Sequence, residues 1–379
     1  MNTFPPYARP KTRLLFFIAT LAVSLLIVYM GVRFLVSHRE DSVTIAKIQS
    51  RNLAHSIQQN ISSTLKEIDF ALDTVASDIE SNSEHERLDL QRLSRFLAAE
   101  QHSLPEALAI RVTDAQGRLI LGNTSEDETT SYADRPFFRQ LQAQSGRGMV
   151  IAKPRIGAIA KQWLIPCAKR YNLPDGRFGG VVVIPIAISH FQRILSGFDV
   201  GTGGTLSLRD GDGGFIARFP EPAKGPVLQA GERTGSAELD EFVRSGKAEE
   251  THFAAATFDH VPRMYTTLRV ANAPLMIGVG LAEADYLAHW RRDRTRTIAM
   301  IGVSLLGIWA MAGLLWKSWE DHLRATTALQ EREERYRTLI SHASEGILVH
   351  TLDGKAQEVN EAFATMHGYS EEEMLRMNL

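Results

Sequence analysis

The run LLFFIATLAVSLLIVYMGV, residues 14–32, contains no charged side chain and ends immediately before Arg33. A second run of the same character, TIAMIGVSLLGIWAMAGLLW, occupies residues 297–316. Coiled as a helix, each run is long enough to cross a hydrocarbon core of about 30 Å. The sequence therefore predicts two membrane-spanning helices, assigned to residues 14–36 and 297–316, with a long loop between them.

The charges around the first run predict how the chain is threaded through the membrane. Arg9, Lys11 and Arg13 precede the run, which is the charge placement of a signal anchor. The run exceeds the roughly 7–15 apolar residues of a cleavable signal, so an uncleaved anchor is expected. The arginines at 291–296 argue against this orientation. Because long loops translocate largely regardless of charge, we expect residues 1–13 and the C-terminal region inside, and the loop outside.

Composition excludes several classes of function. The chain has 42 basic and 44 acidic residues and a formal net charge of −2, so no global field favours nucleic acid. The single cysteine, Cys167, cannot form an intrachain disulfide, and its apolar neighbours predict a buried strand position. Histidines are scattered, and neither a metal-binding nor a catalytic motif occurs. We therefore expect no metal site and no catalytic site.

Two kinds of periodicity follow one another in the loop. From Ser37 to Ile79 apolar residues recur three or four apart without a proline, which predicts one long amphipathic helix. A second helix is expected over Leu88–Leu104. The pattern then changes to period two in several short segments, which predicts strands. These segments are LAIRVTDAQGRLIL, MVIAKPRI, QWLIPCAKRY, GGVVVIPIAI, GTLSLRDGDGGFIARF, RMYTTLRV and PLMIGVGL. The predicted fold class is α+β, with antiparallel sheets and one helical face.

Three segments carry a family resemblance, namely YADRPFFRQL, WLIPCAKRYNLPDGRFGGVVV and GTLSLRDGDGGFIARFP. With the flanking apolar runs, they resemble the double Cache (PDC-type) sensor domains of bacterial receptors. The resemblance covers residues 37–293, with a distal lobe at about 83–195 and a proximal lobe at about 200–285. It implies a multi-pass protein of the bacterial inner membrane with a periplasmic sensor domain, functioning as a homodimer. It also implies a small-molecule pocket in the distal lobe.

The resemblance places that pocket under the segment that contains Arg135. Its guanidinium is a planar fork suited to a carboxylate, and the neighbouring side chains supply apolar walls and polar partners. The predicted ligand-binding residues are Tyr132, Arg135, Phe137, Phe138, Lys153, Arg155, Lys161 and Trp163. The alternative is purely structural: Asp134 caps a helix that has Pro136 in its first turn, and both phenylalanines simply pack.

The ligand class is inferred from two departures from the amino-acid-binding members of this family. Those members have a Trp-Tyr pair where this chain has Phe137 and Phe138, and an aspartate where our alignment puts Pro185. Both changes remove groups that hold an ammonium or orient its carboxylate. We therefore expect a carboxylate or another small anion rather than a plain amino acid.

One apparent calcium loop is better explained as a turn. Asp210, Asp212 and Glu221 occupy three EF-hand positions, but Phe215 replaces the glycine of the sharp turn. A hairpin turn between TLSLRD and FIARF is therefore expected. The GTGGT segment lacks the Lys-Ser/Thr of a phosphate-binding loop and is interpreted as a connector.

The region after the second apolar run predicts a signalling module. Residues 317–334 contain no glycine or proline, which favours a solvated linker helix. Residues 335–379 resemble the start of a PAS domain, through the hairpin EGILVHTLDGKAQEVN, a helix entry at Asn360 and a cap at Ser370. A PAS fold needs roughly a hundred residues, so a truncated sequence is expected. The sequence identifies no cofactor for it.

These features predict a receptor that senses a small external ligand and relays the signal to PAS and an absent effector. Within signalling proteins, a diguanylate cyclase (GGDEF) is expected first and a histidine kinase second. A membrane protein that binds ligand without enzymatic output is the alternative from another class. A membrane enzyme with an external active site is disfavoured, since no catalytic constellation was found.

Overall fold

The computed structural model divides the chain into two compact units. The central unit is Val36–Asp293, and the terminal unit combines residues up to Leu35 with those from Arg294 onward. The structure describes residues 10–82, 89–122, 131–157, 160–221, 228–233, 236–255, 259–352 and 354–376. The predicted α+β class, with two apolar helices around antiparallel sheets, is confirmed.

Two long helices contain the apolar runs. Helix α1 spans Pro10–Ser81 and helix α7 spans Ala288–Ser341, and both are long and apolar enough to cross a membrane. The apolar window of each is only 6% buried. No proline follows Pro10 within α1, so the first apolar run and the amphipathic stretch form one uninterrupted helix. The sequence predicts a membrane-spanning helix at 14–36 and an amphipathic helix from Ser37 to Ile79, and both lie within the single helix α1.

In the terminal unit α1 and α7 pack antiparallel. The rings of Phe16 and Trp316 lie 5.9 Å apart, centroid to centroid, near one end of the pair. Toward the other end Gly31 faces Ile301 so closely that an added Cβ would lie 2.2 Å from the Ile301 Cδ1 atom. Small residues allow such close approach between helices in a membrane. The antiparallel arrangement directs the N-terminus and the segment after the second run to the same end.

The first sheet of the central unit is antiparallel, in the order β2-β1-β6-β5-β3, with β4 also paired to β5. Its strands are β1 Arg111–Thr113, β2 Leu119–Leu121, β3 Val150–Ile151, β4 Arg155–Ile156, β5 Trp163–Asn172 and β6 Phe178–Ala187. Its helices are α2 Leu90–His102, α3 Pro136–Ala143 and α4 Ile188–Ser196. Tight turns at 114–117 and 173–176 connect consecutive strands, and each is closed by a backbone hydrogen bond.

The second sheet is also antiparallel, in the order β8-β7-β11-β10-β9. Its strands are β7 Thr205–Asp210, β8 Phe215–Phe219, β9 Glu249–Ala254, β10 Arg263–Arg269 and β11 Leu275–Ala282, with helices α5 Ala237–Ser245 and α6 Glu283–Tyr286. The backbone N–H groups of Asp212 and Gly214 donate to the Asp210 carboxylate at 3.0 and 2.7 Å. The predicted hairpin turn is confirmed, and the Asp210 oxygen that would face a cation serves the turn.

One apolar core joins α1 to both sheets. Strand β5 alternates in register, so Ile165, Cys167 and Tyr171 belong to this core while Ala168 belongs to a separate cluster around α3. On the α1 side, the buried Lys169 Nζ atom lies 2.8 Å from Asp69 and 2.7 Å from Asp73 of α1. The sheet is therefore attached to α1 by apolar packing and by an ionic contact.

The C-terminal segment contains the predicted PAS hairpin and helix starts. Its elements are β12 Leu348–His350, β13 Ala356–Val359, α8 Glu361–His367 and α9 Glu371–Leu375. The Asn360 side chain caps α8 by accepting from the Phe363 N–H group at 3.0 Å. Ser370 and Glu373 form a capping box at α9. Both predicted helix entries are confirmed.

The buried stripe of α1 should dominate the stability of the central unit. Ile68 is fully buried in the shared core, whereas Ile48 on the same helix is 52% exposed. We expect Ile68→Ala to lower the free energy of unfolding by about 2–5 kcal/mol, through lost burial and the cavity left behind. The matched Ile48→Ala change should cost under about 0.5 kcal/mol. Chemical denaturation of a 36–293 fragment measures both, and equal losses would contradict this account of the core.

Candidate functional site

A cavity of about 40 Å³ lies between the first sheet and the α3 segment. Its lining residues come from β1, the start of α3, β4, the following turn, β5 and β6. They are Arg111, Tyr132, Arg135, Phe137, Arg155, Gly157, Ala160, Leu164, Pro166, Val183 and Pro185. This face of the sheet is the one turned away from α1. The volume accommodates a water molecule or a very small anion, so a larger ligand requires the lining to open.

Two prolines lie opposite each other in the central strands and line the cavity. Pro166 of β5 pairs with Pro185 of β6 in the antiparallel register. Proline is normally excluded from central strands because it donates no ladder hydrogen bond. Here the carbonyl groups remain in use: Leu108 N–H donates to Pro185 at 3.0 Å, and Ala152 N–H donates to Pro166 at 2.8 Å. The prolines therefore give the cavity an apolar surface without breaking the sheet.

Three guanidinium groups surround this surface. Arg111, Arg135 and Arg155 all line the cavity together with Tyr132, and the described lining residues include no acid. Burial lowers the pKa of Arg155, repulsion by Arg135 lowers it further, and Tyr132 acts in the opposite direction. Arginine remains protonated at any ordinary pH in spite of such a shift. These three guanidinium groups suit an anion.

The start of α3 leaves Arg135 available to the cavity. Arg135 is the N-cap residue with extended backbone, Pro136 follows in the first turn, and no side chain caps the helix. A guanidinium cannot accept a hydrogen bond, so it cannot cap the helix. The expectation that Asp134 would do so is wrong: its carboxylate lies 2.9 Å from Arg139 and is 93% exposed. The Asp134 carboxylate pairs with Arg139 at the surface, so it does not accept from the N–H groups of the first turn.

The two phenylalanines of α3 have different surroundings. Phe137 lines the cavity and meets Tyr132 edge-on, with ring centroids 6.2 Å apart. Phe138 is buried and meets Phe178 edge-on at 5.6 Å, outside the lining. Phe137 thus has the position expected of an apolar wall of the ligand pocket. Phe138 has the position expected of a residue that only packs in the core.

Three other predicted residues lie outside the cavity lining. The exposed Lys153 Nζ atom contacts the Asp212 carboxylate at 2.7 Å, so it links the two sheets at the surface. Lys161 is exposed, with a positive φ of 47° in the turn before β5. Trp163 is half-buried against the core that contains α1. The structure gathers Tyr132, Arg135, Phe137 and Arg155, whose ligand contacts remain predictions.

Two buried arginines on this face of the sheet, Arg111 in the cavity lining and Arg170 outside it, were absent from the predicted set. Arg111 is 7% exposed and pairs in register with Val183 on β6. Arg170 is also buried, and its guanidinium donates to the Leu141 carbonyl at 3.2 Å and to the Gln144 carbonyl at the end of α3. Both lie in strands whose other buried residues are mostly apolar, where an arginine is rarely buried without a partner. That contrast was the available signal in the sequence.

Comparisons with known proteins bear on the fold of the central unit and on the C-terminal segment. A family model described as PAS fold matches residues 334–379. No curated protein matches the chain. The extracellular domain of rpHK1S-Z16, assigned to a histidine kinase, superposes with a TM-score of 0.58 at 24% identity, covering 65% of this chain and 99% of that one.

Two chemoreceptor domains are similar as well. The ligand-binding domain of Campylobacter jejuni Tlp3, in complex with 4-methylisoleucine, gives a TM-score of 0.51 at 12% identity, covering 65% of this chain and 94% of that one. The ligand-binding domain of Mlp24 with asparagine gives 0.50 at 14% identity, covering 67% and 98%.

These likenesses define the class of fold. The central unit shares its fold with the extracellular domains of a protein assigned to the histidine kinases and of chemoreceptors. The segment that matches the PAS model lies after the second apolar run in the same chain. The chain therefore combines this fold with two candidate spans and a segment that matches the PAS fold.

Successive side chains of β5 point to opposite faces of the sheet, which predicts the reactivity of its single cysteine. Cys167 is fully buried on the α1 side, and burial raises its pKa to about 12. At pH 8 only about one thiol in ten thousand would be ionised, so we expect no reaction with Ellman's reagent in the folded protein. Ala160→Cys, which adds a thiol at the cavity, should give one reactive group. Native reactivity at Cys167 would show that this face of the strand is open.

Proposed function

We propose that this chain is the input region of a membrane receptor whose external domain binds a small organic anion in the distal cavity. The observation that carries the proposal is the convergence of Arg111, Arg135 and Arg155 on one small cavity. A guanidinium fork can hold a carboxylate through two parallel hydrogen bonds. Several such groups at one site favour a ligand with more than one anionic oxygen pair, such as a dicarboxylate.

An α-amino acid is the second candidate, because Tlp3 and Mlp24 are similar in fold and were solved with amino-acid ligands. Its ammonium group would enter a cavity whose described lining includes three arginines. Bringing like charges together in a desolvated site costs free energy unless an anion compensates. The cavity therefore favours anions without an ammonium group over amino acids.

Signal relay in this proposal uses the sheet between the cavity and α1. Pro166 faces the cavity, while the adjacent Cys167 and nearby Lys169 face α1 on the same strand. A ligand that displaces β5 would therefore also move Lys169 relative to Asp69 and Asp73 of α1. Because α1 continues unbroken to Pro10, movement at the sheet acts directly on the first candidate span. Ligand shifts the receptor only to the extent that it binds two arrangements differently.

The proposed output lies beyond the PAS segment. Asn360 connects the segment to α7, since its amide donates to the carbonyl groups of Ile340, Ala343 and Glu345 at 3.2, 3.3 and 2.9 Å. A rotation of α7 would therefore change the position of the PAS hairpin. A diguanylate cyclase is our first proposal for the effector and a histidine kinase the second. Reading the coding sequence downstream distinguishes them, by a GGDEF motif or by a phosphoacceptor-histidine helix.

Homodimer formation remains a prediction with one structural feature in its favour. Ile45, Ile48 and Phe70 are exposed on α1, and at 100° per residue they fall on a single face of the helix. This face is opposite the buried stripe, so a second copy of α1 would cover it. Sedimentation of the full chain in detergent tests the prediction, and a monomer would contradict it.

Substitution of Arg135 tests the ligand site. Loss of a bidentate charge-assisted contact removes about 1.5–3 kcal/mol, so Arg135→Gln should weaken binding of succinate or malate by about 10- to 100-fold. Arg135→Lys keeps the charge but loses the fork, and we expect an intermediate loss. Arg139→Gln, at an exposed position on the same helix, should bind like the wild type.

Isothermal calorimetry on a 36–293 fragment measures these affinities across a panel of mono- and dicarboxylates, inorganic phosphate and neutral amino acids. Absence of binding by every anion in the panel would end the proposal. Binding of an amino acid alone would replace the anion with the second candidate.

Threading through the membrane is tested with reporter fusions. The ion pair between Arg13 and Glu320, at 3.2 Å, supports a threading in which the start of α1 and the segment after the second run are on the same side of the membrane. We expect alkaline phosphatase fused after Gly201 to be active, and the same enzyme fused after Leu329 to be inactive. Green fluorescent protein at these two positions should give the reverse pattern. Active phosphatase at Leu329 with none at Gly201 would put the sensor fold in the cytosol.

A further inference from the structure

Four exposed arginines lie immediately before the apolar run of α7. They are Arg291, Arg292, Arg294 and Arg296, called here the arginine collar. Asp293 is the only acid among residues 291–296, and Lys317 is the only basic residue directly after the run. We infer that the collar binds the phosphodiester groups of anionic phospholipids at the membrane surface.

The position of the collar along α7 matches the depth of the headgroup layer. Residues 291–296 cover about 8 Å of helix at 1.5 Å per residue, directly beside the apolar run that begins at Thr297. The headgroup region on each side of a bilayer is about 5–8 Å thick. With the run in the hydrocarbon core, the collar therefore lies among the headgroups. Trp290, at the next position outward, is a residue type suited to this interface.

The residue type is suited to phosphodiesters. Every basic residue between Glu283 and Thr297, apart from His289, is arginine. A guanidinium donates two parallel hydrogen bonds to the pair of unesterified phosphate oxygens, whereas an ammonium acts as a point charge. At 100° per residue the four side chains spread over more than half of the helix circumference. The collar can therefore contact several lipids.

Helix α1 adds to the same positive surface. The pKa of Tyr286 is raised by burial and by Glu283, and it is lowered by Arg39 of α1 and Arg291 of α7. Both arginines are therefore within electrostatic reach of one tyrosine. Anionic headgroups are attracted to basic residues at either surface of a membrane.

This inference holds for either threading of the chain, so it does not rest on the proposed function. The experiment uses the full chain reconstituted in symmetric bilayers of phosphatidylcholine. Electron paramagnetic resonance with spin-labelled phosphatidylglycerol or spin-labelled phosphatidylcholine gives the association of each lipid with the protein. A basic residue at an anionic surface contributes about fivefold in binding. We expect the wild type to prefer phosphatidylglycerol by about fivefold or more.

The collar variant replaces all four arginines with glutamine, and its preference should fall at least threefold. The matched control replaces four arginines of the sensor fold, Arg95→Gln, Arg118→Gln, Arg139→Gln and Arg177→Gln, and should retain the preference. Raising the salt to 1 M should remove the preference of the wild type, because the Debye length falls to about 3 Å. This second measurement remains informative if the collar variant does not insert. Equal preference in collar variant and wild type, an equal fall in the control, or persistence in 1 M salt would each overturn the inference.

Discussion

The packing of α1 against both sheets is the interaction on which the central unit depends. Ile57, Ile61, Ile68 and Leu72 are fully buried in the core that contains residues of both sheets. Burying each such side chain stabilises the fold by about 1.5–3 kcal/mol before the entropy of ordering is subtracted. Since the two sheets belong to different lobes, one helix fixes their positions relative to each other. The same helix contains the first apolar run, so the stability of the sensor fold and a route to the membrane reside in one element.

The first sheet separates the candidate cavity from α1, and its register gives each face a different chemistry. On β5 the apolar and ionic contacts to α1 alternate with cavity-facing residues, of which Pro166 is one. Opposed prolines are tolerated there because neighbouring N–H groups still reach their carbonyl oxygens. Arg170 then ties α3 to the strand through carbonyl groups at the end of that helix. The residues that shape the cavity and position α3 also form part of the sheet. The shape of the cavity therefore depends on the packing of the sheet against the core.

The basic residues discussed above form separate local clusters. The arginines around the cavity, the Lys169 contacts to α1 and the collar beside the second apolar run are separate clusters on different elements. The net charge of −2 conceals all of them, because acidic residues elsewhere balance the sum. Local arrangement rather than total charge therefore decides what each region can bind.

The sequence alone determined the two long apolar helices, the fold class, the hairpin turn after Asp210 and the helix entries at Asn360 and Ser370, because each depends on a local sequence pattern. Tertiary structure decided which predicted residues share the cavity. Phe138, Lys153, Lys161 and Trp163 belong to the predicted set, yet side-chain direction, a surface ion pair and a turn put them outside the lining. Arg111 joins the cavity across a strand pairing that links residues far apart in sequence. The local period of a strand indicates which of its residues point inward. Only the pairing of strands determines which inward-pointing residues from different strands lie side by side.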